Sequence, residues 1–491
     1  MASPNVDIEA IARHFRLFDI PFSYHLSPNW TVVSSTYNIR VPVIPAIVVI
    51  PRYCRQISNT VLYARMRGLR VQVRSGGHSY NSSSNGGQNG AIVIDMSAFD
   101  AIEQYGTYAT IFSGARLGNM AASLYDVWHH ALPHGTCSTV GVGGHFSHGG
   151  FGFFSRAWGL ALDRIIEMKV ITANGQPQNI NENKQADLYW AMRGAAESFG
   201  VIISFQVQPV PAPQSIVHFK ISIDDVTKDF KSATKALRRI QKFTRNESVV
   251  DRQLGFYINL SPAHFTLGGT YLGSRQKFEE TIMPAMLKGI PEKATSQVEE
   301  KNWMESLKHL NQNQDILWDR KKPFTMRSNF FAKSIVVPEP GYTKTALKNI
   351  TRFIYKKIKN PPVKYFIMLD LWGGADSQIN VKGQDFAAFS IRDALWVTQI
   401  YGYVDDNQVF PEAGMDFINQ VAQAMKFTRG DPRAYSNYAD PTLTREQALH
   451  YYHGPSVARL LWILKQKWDP YNIFAGPQTV PLEFPHAPAR F

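Results

Sequence analysis

Apolar and polar positions divide the chain into two textures. Ala46-Ile47-Val48-Val49-Ile50 is an unbroken, mostly β-branched run between Pro45 and Pro51, the pattern of a buried strand. Residues 56–67 follow with helical spacing. Residues 70–74 then read as a second strand that breaks at Gly76-Gly77, and residues 91–95 as a third, after a loop rich in Ser, Asn and Gly. This β-α-β-loop-β order is expected to continue to about residue 212, where Pro209, Pro211 and Pro213 mark a boundary. From 214 the pattern changes. Strand-like segments at 216–223, 254–259, 265–271 and 365–371 alternate with amphipathic helical ones at 226–243, 274–287 and 341–357. That predicts an α+β unit with an antiparallel sheet and helices on one face. Residues 441–467 read as helix, and the tail from Trp468 as extended.

Composition narrows the class without changing the picture. Of 491 residues, 44% are apolar, 12% aromatic and 19% charged, which is ordinary globular composition. The net charge of +13 is scattered rather than gathered in a stripe, which argues against nucleic acid as a partner. Cys54 and Cys137 are too few for a disulfide framework or a cysteine-based metal site, so no metal is expected. No run of 18 apolar residues predicts a membrane span. Residues 1–10 lack the basic-then-apolar layout of a signal peptide. Asn29, Asn81, Asn246, Asn259 and Asn349 each open an Asn-x-Ser/Thr sequon, which favours an extracellular, mature glycoprotein.

Two constellations carry chemistry. The first is Arg74-Ser75-Gly76-Gly77-His78-Ser79-Tyr80, a tight turn after a strand; taken alone, its histidine reads as structural or surface rather than functional. The second runs from Pro133 to Gly152 and includes His134-Gly135-Thr136-Cys137 and Val140-Gly141-Val142-Gly143-Gly144-His145. So many glycines forbid a regular helix or strand and leave backbone N–H groups free to meet spread negative charge, such as a pyrophosphate. No Gly-Lys-Ser/Thr closes it as in a P-loop, and no helix with a downstream ribose acid follows as in the dinucleotide fingerprint.

These motifs, with Gly159-Leu160-Ala161-Leu162-Asp163, Ser198-Phe199-Gly200-Val201, Asn437-Tyr438-x-Asp440 and Asn472-Ile473-Phe474, resemble the vanillyl-alcohol-oxidase superfamily. Within it the chain resembles the berberine-bridge-enzyme-like branch and its fungal oligosaccharide oxidases, from about Asn38 to Gln478. The resemblance implies a two-part FAD-binding domain (residues 1–212, with 426–491 returning to it) around an α+β substrate domain (213–425). It implies FAD linked twice: His78 through a ring nitrogen to the 8α-methyl carbon, and Cys137 through sulfur to C6. Arg74, Ser75, Gly76, Gly77, Ser79, Thr136, Val140, Gly141, Gly143, Gly144, His145, Gly149, Gly152, Val201, Tyr435 and Asn437 would complete the cofactor site. One departure stands out: Arg193-Gly194-Ala195-Ala196-Glu197 replaces the family's Arg-Gly-Ala-Gly, and the methyl of Ala196 is expected to shift that loop.

The base must come from the substrate half, since the flavin only accepts hydride. Phe366, Met368 and Asp370 share one face of a strand by period two. An Asp ending an apolar strand is costly unless paired or functional, although a turn aspartate before Gly373-Gly374 fits as well. The resemblance implies Asp370 with Tyr438, and Tyr435 competes for the same role. Tyr80, Gln399, Met368 and Trp372 are the expected sugar contacts, and Trp396 is a weaker stacking candidate. Val140, a small β-branched residue three after the linking cysteine, implies oxidase behaviour with hydrogen peroxide as by-product. The expected activity is oxidation of a reducing sugar at C1 by a monomer, with a small carbohydrate and dioxygen as its partners. The alternatives are a secondary-metabolite oxidase acting on an alcohol, phenol or alkaloid, and a binding protein without turnover.

Overall fold

The computed structural model describes residues 7–290, 293–319, 322, 324–427 and 430–483. The β-branched run forms the fully buried strand Ile47–Val49. The helix Cys54–Arg67 follows and stops at Gly68, whose φ of +62° is open to glycine at little cost. Strand Val71–Arg74 comes next, and both strands lie parallel to the central Ile92–Asp95. Phe22–Ser23 closes this four-stranded sheet at its edge.

The expected β-α-β order ends there. A second sheet is wholly antiparallel, in the order Ile102–Tyr105, Tyr108–Phe112, Gly200–Val207, Ile165–Thr172, Pro177–Asn181. The reason is chain length: Gly106 and Thr107 alone join the first pair, which permits a hairpin and no crossover helix. Ile171, Val201 and Ile203 pack toward the first sheet, while Met168, Val170 and Phe205 face a separate core.

A further sheet begins with the strand Ile216–Ser222. Its seven antiparallel strands are ordered Thr295–Lys301, Ile216–Ser222, Phe265–Tyr271, Leu254–Leu260, Lys364–Leu371, Ala394–Val404, Asn329–Pro338. One face buries Phe219, Phe256, Ile258, Ile367 and Leu369 beneath helices Phe230–Phe243, Lys344–Arg352 and Glu412–Met425. The opposite face looks toward the glycine-rich loops.

The C-terminal helix is two helices, Arg445–His453 and Pro455–Trp468, broken at Gly454 (φ +77°) with Pro455 opening the second. They return to the first half of the chain. Leu461 joins the core under the five-stranded sheet, Ile473 and Phe474 enter the core of the four-stranded sheet, and the Val71 amide donates to the Ile473 carbonyl at 2.8 Å. Lys465 is buried there with Asp469 at 2.7 Å and the carbonyls of Ser198 and Phe474, so its charge is fully partnered.

Candidate active site

The two glycine-bearing loops are built against each other. Gly77 takes φ +77°, and Gly76 lies so close to Gly141 that a Cβ on either would collide with the other's backbone. Ser75 donates its hydroxyl to the Ser113 carbonyl at 2.5 Å and accepts the Gly143 amide at 3.2 Å. Arg116 donates to the carbonyls of Gly76 and Thr139, one from each loop. His78 and Cys137 consequently face one cavity of about 520 Å³, within the size range of ligand sites. The Thr139 hydroxyl lies 3.0 Å from His78 Nε2 and 3.5 Å from Cys137 Sγ. The His78 ring sits between Tyr37 (4.5 Å between centroids) and Phe324 (5.0 Å). Burial pushes His78 down to about 3, and the Arg116 charge acts in the same direction, so the imidazole is neutral at physiological pH.

Further along the wall, Gly144 faces open space where any other residue would place a side chain. His145 Nε2 accepts the Gly135 amide at 3.0 Å, which puts the ring proton on Nδ1. Burial pushes His145 down to about 3 as well.

The opposite wall comes from the seven-stranded sheet and the segment after residue 433. Strand register sets Asp370 opposite Val397, Met368 opposite Gln399 and Phe366 opposite Tyr401, all on one face. The Ser334 hydroxyl, opposite Gln399 on the next strand, accepts from the Tyr435 amide at 2.9 Å. Lys333 pairs with Asp440 at 2.5 Å, and these contacts together fix the turn that carries Tyr435, Asn437 and Tyr438.

The two tyrosines are placed differently. The Tyr435 hydroxyl accepts from the Gly150 amide (3.1 Å), the Phe151 amide (3.3 Å) and the Asn437 side chain (2.8 Å). It is a clamp on the second loop. Tyr438 stacks on Tyr80 (5.8 Å, 19°), lines the cavity, and its hydroxyl has no hydrogen-bond partner among the described residues. Burial and then the nearby Asp370 raise the Tyr438 phenol well above its ordinary value. Asp370 stands behind the cavity wall, and burial pushes it up to about 7. Tyr80 accepts the Gln399 amide at 2.9 Å, and both side chains line the cavity.

Several expected contacts lie elsewhere. Trp372 is on the anticipated face but fully buried, stacked on Phe151 at 4.8 Å and closed in by Phe389, because the glycine-rich loop covers that end of the sheet. Trp396 is core, against Phe256. Met368 is half-buried and does not line the cavity. Arg74 supports the loop from behind, its guanidinium taken by Asp95 at 2.7 Å and by Asn85 and the Val33 carbonyl. Val201 belongs to the core between sheets. Gly149 and Gly152 allow close packing instead: a Cβ on Gly149 would meet the Phe389 ring, and one on Gly152 the His134 carbonyl. Ser75, Gly76, Gly77, Ser79, Thr136, Val140, Gly141, Gly143 and Asn437 do line the cavity.

The sequence reading passed over Glu197. Ala196, which packs into the core under the five-stranded sheet, and Glu197 both line the cavity, and Glu197 is bonded to His148 Nε2 at 2.6 Å. His148 Nδ1 donates to the Gly144 carbonyl at 3.0 Å, so both ring nitrogens face acceptors; the Glu197 carboxylate raises His148 and is itself lowered by it. A carboxylate in an otherwise small and apolar run was the available signal.

A cavity walled by two closely packed glycine loops, with a histidine and a cysteine converging on one edge and a tyrosine opposite whose hydroxyl has no partner among the described residues, fits a flavin-dependent oxidoreductase. Residues 45–181 match the family model described as "FAD binding domain", and residues 434–481 match "Berberine and berberine like". The chain is 32% identical over 456 residues to the carbohydrate oxidase of Microdochium nivale, covering 90% of this chain and 89% of that one. It superposes on the glucooligosaccharide oxidase of Acremonium strictum, a structure concerned with 6-S-cysteinyl, 8α-N1-histidyl FAD, with a TM-score of 0.90 at 27% identity, over 97% of this chain and 99% of that one. The xylooligosaccharide oxidase of Myceliophthora thermophila C1 in complex with xylobiose gives 0.89 at 29%, over 96% and 99%. The protein belongs to the berberine-bridge-enzyme-like family of FAD-linked oxidases.

Proposed function

We propose that this enzyme is an extracellular carbohydrate oxidase that carries FAD linked through both His78 and Cys137 and oxidises C1 of a reducing oligosaccharide to the lactone, with dioxygen returned as hydrogen peroxide. The observation that carries the reading is the meeting of His78 and Cys137 at the shared Thr139 hydroxyl, on the cavity that Tyr438 lines from the other side. The residues present fit the cofactor: the loops touch through Gly76 and Gly141, and the wall at Gly144 is bare.

When bound, the flavin supplies the hydride acceptor. The protein supplies the rest. Tyr438 takes the C1 hydroxyl proton, since it lines the cavity beside Tyr80, lies near Asp370, and its hydroxyl has no hydrogen-bond partner among the described residues. Asp370, held near neutrality by burial, receives that proton behind it. Tyr80 and Gln399 present a phenol and an amide to sugar hydroxyls. Val140, a small apolar side chain on the cavity wall, leaves dioxygen room to reach the flavin.

Peptide mapping of the purified protein tests the cofactor half of this reading. Peptides holding His78 and Cys137 should each carry flavin, and the colour should stay with acid-precipitated protein. Unmodified peptides with free FAD in the supernatant would contradict it. The substrate half is tested by peroxide release from a panel of reducing sugars; turnover of an aromatic alcohol in their place would assign a secondary-metabolite oxidase.

A further inference from the structure

We infer that Thr139 is the positioning residue for flavin attachment: its hydroxyl, held between His78 Nε2 and Cys137 Sγ, sets the form of both attacking side chains. This rests on the doubly linked cofactor proposed above.

The hydroxyl lies 3.0 Å from His78 Nε2 and 3.5 Å from Cys137 Sγ, with the Met326 thioether at 3.6 Å as a second sulfur acceptor that binding of the Cys137 sulfur must outcompete. A hydroxyl carries one proton and two lone pairs, so it can accept from one neighbour while donating to the other. Accepting from Nε2–H fixes the imidazole tautomer and leaves the lone pair on Nδ1, which becomes the attacking nitrogen. Contact with the same hydroxyl holds Sγ beside the imidazole, and the thiolate is the nucleophilic form of cysteine. The opposite polarity would place the lone pair on Nε2 and spend it on the threonine, leaving neither ring nitrogen free to attack.

The hydroxyl is held in place from its own backbone. Arg116 binds the Thr139 carbonyl and the Gly76 carbonyl together, which ties the cysteine loop to the histidine loop. The guanidinium is in turn held over Phe324 (4.3 Å) and Trp318 (5.3 Å). Thr139 itself is only 9% exposed, so water competes poorly for its hydroxyl. Each attachment forms one bond from the side chain to the flavin, N–C8α or S–C6, and breaks one C–H bond of the flavin and one N–H or S–H bond of the side chain. The two protons and two electrons so released reduce dioxygen, which leaves as hydrogen peroxide.

The test compares Thr139→Val, which keeps the shape and removes the hydroxyl, with Thr139→Ser, which keeps the hydroxyl. Parent and variants are each purified as the full chain free of flavin and incubated in air with added FAD, and the modified fraction of the His78 and Cys137 peptides is followed over time by mass spectrometry. Thr139→Val should attach flavin at His78 about tenfold more slowly, the effect of losing one hydrogen bond, and be incompletely modified at Cys137. Thr139→Ser should match the parent, a rescue that a purely structural role for the γ-methyl would not give. Thr139→Ala removes the same hydroxyl and repeats the measurement should the valine variant fail to accumulate. Full modification of the valine or alanine variant at the parent's rate would overturn the inference while leaving the doubly linked cofactor intact. Unmodified parent peptides would overturn both.

Discussion

Replacing Asp370 with asparagine keeps the shape of the side chain and removes its charge. The carboxyl is 6% exposed, and burial pushes its pKa up to about 7. A proton acceptor must be ionised to work, so the rate of flavin reduction by low concentrations of sugar should be level above pH 7. Below that it should fall about tenfold per unit, since roughly one carboxyl in ten is ionised at pH 6. In Asp370→Asn that inflection should vanish, and the plateau should drop by about 10²–10⁴-fold, the usual range for a lost general base. Stability should move the other way. The folded-state pKa lies above the unfolded one, so the stability this carboxyl contributes is complete below about pH 4 and is lost as the pH rises through about 7. At pH 8 the asparagine variant should therefore resist denaturant better than the parent, by an upper bound of about 4 kcal/mol. Anaerobic stopped-flow reduction across pH, beside urea melts at pH 5 and 8, makes both comparisons. Reduction at the parent rate with the inflection intact would refute the assignment of Asp370 as proton acceptor.

The same stopped-flow assay separates the tyrosines. Tyr438→Phe should slow reduction by about 10²–10⁴-fold with little change in substrate affinity, whereas Tyr435→Phe, which strands three hydrogen-bond donors, should act mainly on stability, at about 1–3 kcal/mol by denaturant melts. Asp163 accepts both terminal nitrogens of the buried Arg392 at 2.7 and 2.9 Å, so Asp163→Asn should cost about 3–5 kcal/mol in the same melts. Val140→Leu should leave reduction near the parent rate and slow reoxidation by dioxygen, read by mixing reduced enzyme with aerated buffer.

The attachment loops were legible in the sequence because their signal is local. Glycines that cannot sit in a helix, beside a histidine and a cysteine, mark Gly76–His78 and Gly135–Cys137 whatever surrounds them. The substrate half was legible as a face more than as a site. Period two placed Phe366, Met368 and Asp370 on one face, as the register has them, yet nothing in the strand says that Phe151 and Phe389 cover its far end and turn Trp372 into core. Tyr435 and Tyr438 stand three residues apart and have the same chemistry; only the Gly150 and Phe151 amides, nearly 300 positions away, distinguish them. Arg74 drew attention by adjacency, while Arg116, remote in sequence, is the arginine that joins the two loops. The parallel order failed beyond Asp95 because hairpin lengths, rather than hydrophobic pattern, decide strand direction there.

The central claim is that this cavity oxidises the anomeric carbon of a reducing sugar chain. Its most direct test is kcat/KM of the holoenzyme for a mono-, di- and trisaccharide of one reducing sugar, read as peroxide formed. The account predicts turnover of all three, with the ratio rising from one ring to two, because further rings add binding outside the reacting centre. No peroxide from any reducing sugar, together with turnover of an aromatic alcohol, would contradict it.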